Sequence, residues 1–366
     1  MTDPTPHRLA QAFLIAAGLA VLTALAPRAA ADDHAVVLVY HHVGTDTPAS
    51  TSVTPGTFDK HLDYLADHGF RVWPLSRILD RLSAGEPVPP DTVALTFDDA
   101  YESVLTEAVP RLRRRGWPFT VFVSTDYIDK DYAGYMTWDQ LRKVVTAGGE
   151  LGNHSRSHPH LVRRQPGEGP AAWRQRVRAE IRGAQERLEA ETDGAVKLFA
   201  YPYGEFNEEL ESIVADAGFF GVGQQSGPVG HGSDWRAVPR FPMATDFAGM
   251  ESFPAKVRSR PLPVTVLAPQ DRLVPGDLER PVLRLRLGEG EFRAPALACY
   301  ASGQGRMDVT WIDREGRELT VRPRQPIRPG RTRYNCTAPS SSRDGVYFWY
   351  SYQWLKMRPD GSWYPE

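Results

Sequence analysis

The chain has 366 residues, enough for one large domain and a smaller one, and its 41% hydrophobic and 24% charged content is that of a folded globular protein. A formal net charge of -2, with no basic stripe interleaved with aromatics, excludes a charge-driven nucleic-acid or anionic-membrane binder. The run of arginines from Arg111 to Arg115 reads as the exposed end of a helix.

The first residues have the pattern of an export signal. His7 and Arg8 precede an apolar stretch over 9–26, and Ala29-Ala30-Ala31 offers a cleavage site before Asp32. Residues 1–31 are therefore expected to be a signal peptide, with an uncleaved anchor as the alternative. The mature protein is expected to be periplasmic or secreted, without a stable membrane span. An apolar run over 36–40 follows and ends in His41 and His42. Thr54-Pro55 opens a helix with Phe58, Leu62 and Leu65 on its apolar face, and a second helix turns Leu75, Ile78, Leu79 and Leu82 inward. After a proline-rich loop, residues 93–97 form another apolar run. Residues 100–115 have helical spacing interrupted by Pro110, which predicts a kinked or two-part helix. A strand at 119–123, a capped helix over 137–147, a long charged helix over 173–191, a strand at 196–199, a helix after Asn207, and strands at 219–222 and 238–243 continue the alternation. Such alternation predicts parallel strands joined by right-handed crossovers.

The pattern changes near residue 258. Pro261 and Pro263 mark a linker, and beyond it apolar and polar residues alternate in short runs separated by turns. This predicts a small antiparallel β-sandwich of about 100 residues. The expected domains are thus 32–258 and 259–366. Cys299 and Cys336, the two cysteines of the chain, both fall in the second part, and in an exported protein they are expected to pair.

Three strand ends carry chemistry. The run at 93–97 leads into Asp98 and Asp99, and adjacent carboxylates at the end of a buried strand each need a partner. Their alternative reading is a helix cap at Asp98. His154 and His158 stand four residues apart, which predicts two imidazoles on one side of a helical turn, a geometry that chelates a divalent metal. Two histidines and one carboxylate leave coordination positions open, the catalytic pattern. The third strand end is Tyr201-Pro202-Tyr203-Gly204. Active sites of α/β folds sit at such strand ends. No G-x-S-x-G or H-E-x-x-H occurs, which argues against a serine esterase or a zincin protease.

Thr96-Phe97-Asp98-Asp99, His154-Ser155-Arg156-Ser157-His158 and Tyr201-Pro202-Tyr203-Gly204, in this order, resemble the polysaccharide deacetylase family, the NodB-like carbohydrate esterases of family 4. The stretch Val39-Tyr40-His41-His42-Val43 narrows the resemblance to the branch that deacetylates poly-β-1,6-N-acetylglucosamine. The resemblance implies a distorted (β/α) barrel of about seven strands, ahead of the small all-β part. It implies that Asp99, His154 and His158 hold the metal, zinc foremost with cobalt, nickel or iron(II) as alternatives, and that Asp98 is the general base. It assigns the oxyanion to the backbone N–H of Tyr203, with Gly204 allowing the tight turn. The late Leu-x-His that supplies the acid in most of the family is missing, since His231 is the last histidine. In the poly-N-acetylglucosamine branch a histidine ending the first strand serves instead. His41 is the matching position, and His42 is its competitor.

A second departure is Ala200, where many relatives have an arginine that holds the catalytic aspartate. Another cation or donor must orient Asp98, and Arg240 is a candidate, with a surface or inter-domain salt bridge as its alternative role. Trp235 could line the groove or pack in the core, and His160 is read as a packing residue. The C-terminal aromatics, among them Trp349, Tyr352 and Trp354, suit either sugar stacking or packing. The expected substrate is an acetylated polysaccharide, and the expected partner is exopolysaccharide export machinery. The alternatives are a deacetylase of chitin oligomers, peptidoglycan or acetylxylan, and a non-catalytic glycan-binding protein.

Overall fold

A computed structural model describes Met1 and residues 33–365. Apart from Met1, the expected signal peptide lies outside the described residues. Among them, no helix is long and apolar enough to cross a membrane.

The main sheet is built from β1 (His34–Tyr40), β2 (Thr92–Phe97), β3 (Phe119–Val123), β4 (Gly149–Asn153), β5 (Ala195–Ala200), β6 (Phe220–Val222) and β7 (Pro228–Gly230). Strands β1 to β6 are parallel neighbours in chain order, and β7 returns antiparallel on the outer side of β1. The sheet therefore follows a seven-strand path, as expected for the barrel, with Phe241–Pro242 also paired to β1. The strand read over 238–243 shrinks to those two residues plus a single bridge from Val238 to Val222. This segment leads from the last parallel strand back to the first.

Period-two alternation sorts the strand residues between two faces. Along β2, Val93, Leu95 and Phe97 join the outer core, where they meet Phe58, Leu62 and Leu65 of α1 (Pro55–Asp67). Ala94 faces inward, with Thr96 and Asp98 two and four residues further along the same face. The second helix, α2 (Leu75–Ser83), buries Leu75, Ile78, Leu79 and Leu82 against the inner residues Ala35, Val37, Ala94 and Ala200. Each such side chain stabilises the fold by roughly 1.5–3 kcal/mol. The two-part helix is present as a wide turn over Val104–Ala108 running into α3 (Val109–Arg115), with Pro110 in the first turn where a missing N–H costs least. The capped helix is α4 (Trp138–Thr146), with a reciprocal Thr137–Gln140 capping box.

After the barrel come two further sheets. One includes Val264–Ala268, Leu283–Leu287, Asp308–Asp313 and Glu318–Arg322; the other is built on Ala298–Ala301, Gly330–Pro339 and Tyr347–Lys356. They share one core of Leu283, Leu285, Leu319, Val321, Tyr334, Tyr352 and Trp354. Cys299 and Cys336 face each other across paired strands and form a disulfide. The final long strand uses both faces. Phe348, Tyr352 and Trp354 enter this core, while Trp349 meets Phe241 of the barrel edge and Leu355 joins the core around Phe199 and Tyr201. From Asp33 onward the chain is one compact unit.

Candidate active site and metal centre

The inward register of β2 carries Asp98 into the barrel mouth with no exposed surface, its N–H bonded to the Tyr40 carbonyl at 2.9 Å. Asp99 and Ala100 then take left-handed backbones, with φ of 72° and 57°. This turns the second carboxylate out of the strand direction. Ser155, His158 and Tyr203 share the left-handed region. Such a conformation costs a non-glycine residue about 1–3 kcal/mol and persists where the surroundings over-determine it.

The surroundings of the histidine loop do so. Asn153 ends β4, accepts from Ser155 N at 2.8 Å, and donates to the Ile181 carbonyl at 2.8 Å. Glu180, buried on the long helix α5 (Pro170–Glu191), accepts from Arg156 N, Ser157 N and the Ser157 hydroxyl. Ser155 Oγ accepts from His158 N. The two histidines are therefore juxtaposed by a loop rather than by the expected helical turn. Left-handed residues at 155 and 158 break any helix, and the side-chain bonds replace its backbone ladder.

Asp99 Oδ1 lies 3.3 Å from His154 Nε2 and 3.4 Å from His158 Nε2, and the two Nε2 atoms are 3.2 Å apart. A tetrahedral ion with donors at about 2.0–2.1 Å holds them about 3.3 Å from one another. His154 Nδ1 donates to the Ala200 carbonyl at 2.8 Å, which in the neutral ring turns an unprotonated Nε2 on the carboxylate. Asp99 Oδ1 is buried and lacks a hydrogen-bond donor. The Asp99 carboxylate and the unprotonated His154 Nε2 converge with His158 Nε2 in a buried site, an arrangement that a cation between them satisfies. Without an ion a proton on His154 serves: burial lowers the pKa of this ring, but the Asp99 and Asp98 carboxylates outweigh burial and raise it. The donor set fits a divalent metal, and Asp99, His154 and His158 are the residues that would hold it.

Asp98 is held by Arg240. The guanidinium donates from Nη1 to Oδ1 at 2.7 Å and from Nη2 to Oδ2 at 2.8 Å, and Arg240 has no exposed surface. Its remaining donors reach Thr96 Oγ1 at 3.1 Å and the Gly223 carbonyl at 2.8 Å. Burial pushes the Asp98 carboxyl up, but Arg240, with His154 and His41, holds it below its usual value. The position of the missing arginine, Ala200, instead supplies the carbonyl that orients His154. Gln224 Nε2 also reaches Asp98 Oδ2, at 3.4 Å.

His41 Nε2 stands 3.9 Å from Asp98 Oδ2, with its side chain partly exposed. His42 is buried, stacks on Tyr101 at 3.6 Å between ring centroids, and has Nδ1 at 3.3 Å from the Ser103 hydroxyl. Burial lowers its pKa to about 4. Tyr203 sits in a turn at φ 59°, its ring 4.5 Å from that of His158 and stacked on His160 at 3.8 Å. Gly204 follows at φ 65°, and a Cβ there would meet the Gln224 side chain at 2.9 Å. His160 bonds Glu205 at 2.8 Å and lies outside the metal triad. Trp235, partly buried, packs against the inner core beside Phe220. Sequence reading missed Glu180, Gln224 and Glu205. Glu180 had a signal, since it lies on the inward face of α5 between Val177 and Ala184; Gln224 and Glu205 lie in irregular segments without periodicity.

Residues 85–222 match the family model for polysaccharide deacetylase. The chain is 25% identical over 252 residues to the poly-beta-1,6-N-acetyl-D-glucosamine N-deacetylase of Escherichia coli (strain K12), a match covering 58% of this chain and 37% of that relative. The matched part is thus little more than a third of the curated relative's length. Among solved structures, IcaB from Ammonifex degensii is 25% identical with a TM-score of 0.52, covering 61% of this chain and 94% of that one. The Streptococcus pyogenes deacetylase PplD in complex with acetate shares the fold, with a TM-score of 0.53 at 22% identity over 59% of this chain and 94% of that one. With the half-barrel sheet and the strand-end site in place, these likenesses identify the chain as one that carries a polysaccharide deacetylase domain, related to the poly-beta-1,6-N-acetylglucosamine N-deacetylases.

Proposed function

We propose that the protein is a metal-dependent hydrolase of N-acetyl groups on an N-acetylglucosamine-containing exopolysaccharide, with poly-β-1,6-N-acetylglucosamine as the foremost substrate. The observation that carries this reading is the convergence of Asp99, His154 and His158 on one point beside the Asp98–Arg240 pair, with His41 across from Asp98. A divalent ion held there would polarise the acetyl carbonyl and the attacking water. Asp98, kept ionised and in register by Arg240, accepts the proton of that water. The Tyr203 N–H donates to the carbonyl oxygen as it becomes an oxyanion. The water oxygen bonds to the acetyl carbon, the C–N bond breaks, and His41 delivers a proton to the leaving nitrogen. Acetate and a free amine result. His41 is favoured over His42 because it is partly exposed and faces Asp98, whereas His42 is sealed against Tyr101 and Ser103.

Export to the periplasm or medium is supported by the signal-like N-terminal sequence and by the disulfide. There the polymer, and the machinery that exports it, would be met. We take residues 32–258 as the catalytic part and 259–366 as an accessory part.

The test is acetate release by the mature chain, stripped of metal and reloaded with zinc or cobalt, from β-1,6-linked and β-1,4-linked N-acetylglucosamine oligomers. Asp98→Asn and His41→Ala stand beside the parent. Metal-dependent release from the β-1,6 oligomers, lost in both variants, is expected. Release from β-1,4 oligomers alone would move the substrate to chitin or peptidoglycan. No release from either, nor from acetylated xylan or intact polymer, would leave glycan binding without catalysis.

A further inference from the structure

The two strands Gly330–Pro339 and Tyr347–Lys356 belong to the C-terminal sheets, yet their side chains end on the loops of the site. Arg331 Nη1 donates to the Tyr203 carbonyl, and Gln353 Nε2 donates to the Gly204 carbonyl. Arg333 Nη1 donates to the Gln224 carbonyl at 3.0 Å, and Gln224 in turn touches Asp98. The Tyr364 hydroxyl donates to Glu205, whose other oxygen holds His160 beneath the Tyr203 ring. Four donors from the C-terminal part thus converge on the segment 203–205 and on Gln224.

That segment needs holding. Tyr203 is a non-glycine residue in the left-handed region, in a turn that carries the local bonds Gly204 N to Tyr201 O and Glu205 N to Pro202 O. Fixing the carbonyls of residues 203 and 204 from outside sets the orientation of the peptide planes. Those planes carry the Gly204 and Glu205 N–H groups and are joined to the plane of the Tyr203 N–H through the left-handed Tyr203 itself, so releasing them frees the backbone torsions that aim that N–H.

We infer that Arg331 and Gln353 are positioning residues for the deacetylase site: the C-terminal sheet completes the site by clamping the left-handed turn at Tyr203. The inference rests on the proposed role of the Tyr203 N–H. An oxyanion donor acts in the transition state and contributes little to ground-state binding, so a loosened turn lowers kcat and leaves KM nearly unchanged. Arg331 is exposed and makes no ion pair among the described residues, so replacing it spares the fold.

The experiment uses the full metal-loaded chain with Arg331→Met, Arg331→Lys and Gln353→Leu. Kinetics of acetate release are measured beside hydrogen exchange at the Gly204 and Glu205 amides. Arg331→Met is expected to lower kcat about tenfold, a modest misplacement on the scale of catalytic geometry, with KM, metal content and melting temperature at parental values. Arg331→Lys, which keeps a donor, regains most of that loss. Exchange at both amides is faster in Arg331→Met and in Gln353→Leu. Parental kcat and parental exchange in both variants would overturn the inference. So would equal losses in Arg331→Met and Arg331→Lys accompanied by a lower melting temperature. If the parent releases acetate from no acetylated glycan, the proposed function fails, and the amide exchange decides the clamp by itself.

Discussion

Replacing Arg240 by methionine tests what holds the Asp98 carboxylate. Both partners of the pair are wholly buried, and the guanidinium makes two bonds of 2.7 and 2.8 Å to Asp98. Arg240→Met keeps the length of the stem and removes the charge. Asp98 is then left in the barrel mouth with Gln224 Nε2 at 3.4 Å and His41 Nε2 at 3.9 Å. Breaking a buried pair from one side costs about 3–5 kcal/mol, because the surviving charge has lost both water and partner. Asp98→Asn strands the guanidinium in the same way. The double variant Asp98→Asn/Arg240→Met leaves no charge to strand and is expected to recover about 2–3 kcal/mol of the summed losses. Urea denaturation of the metal-free chain measures all four corners of the cycle, chelator being present so that ion binding does not mask the pair. Single losses that add to within about 0.5 kcal/mol would refute the coupling. Arg240→Lys, which cannot grip both oxygens, is expected to leave kcat near the methionine variant.

Metal should stabilise the fold by mass action. Zinc in hundredfold excess over its dissociation constant is expected to add about 2.7 kcal/mol to the parent and nothing to Asp99→Asn or His154→Gln, as read by thermal melts with and without chelator. Glu205 carries an acid-sensitive contribution. Burial raises its pKa, but the bonds from His160, Arg163 and Tyr364 outweigh burial and bring it from 4.5 to about 2. A depressed carboxyl stabilises the fold above its unfolded pKa, so roughly 3 kcal/mol is expected to be present at pH 5 and lost as pH falls toward 2. Glu205→Gln should be less stable at pH 7 and should lack this part of the acid slope. The Cys299–Cys336 bond closes a span of 37 residues, and on the chain-entropy view its removal by Cys299→Ala/Cys336→Ala costs about 4 kcal/mol, measurable by the urea midpoint.

Local sequence determined the elements and the candidate site residues. Strand register is a period-two property, so Val93, Leu95 and Phe97 on one face already place Asp98 on the other. Helix limits followed from Thr54, Thr137 and Asn207 as caps, each of which bonds its own first turn. The pairing of His154 with His158 was legible from spacing, but its mechanism was not. A helical turn and a loop can both bring residues four apart together, and the choice was made by Glu180, more than twenty positions away on another helix. The tertiary structure decided between the alternatives the sequence left open for Arg240 and for His41 against His42, and it added the contacts of Arg331 and Gln353, which no local pattern suggested. Arg240 reaches Asp98 across 142 positions because the barrel brings the last segment back beside the first strand. His41 rather than His42 faces Asp98 because stacking on Tyr101 fixes the second ring. Arg331 and Gln353 meet the Tyr203 turn because the alternate face of a sandwich strand is turned toward the barrel. Sequence periodicity records which side of its own element a residue occupies; which foreign side chain arrives there depends on how distant elements pack, and no local pattern encodes that.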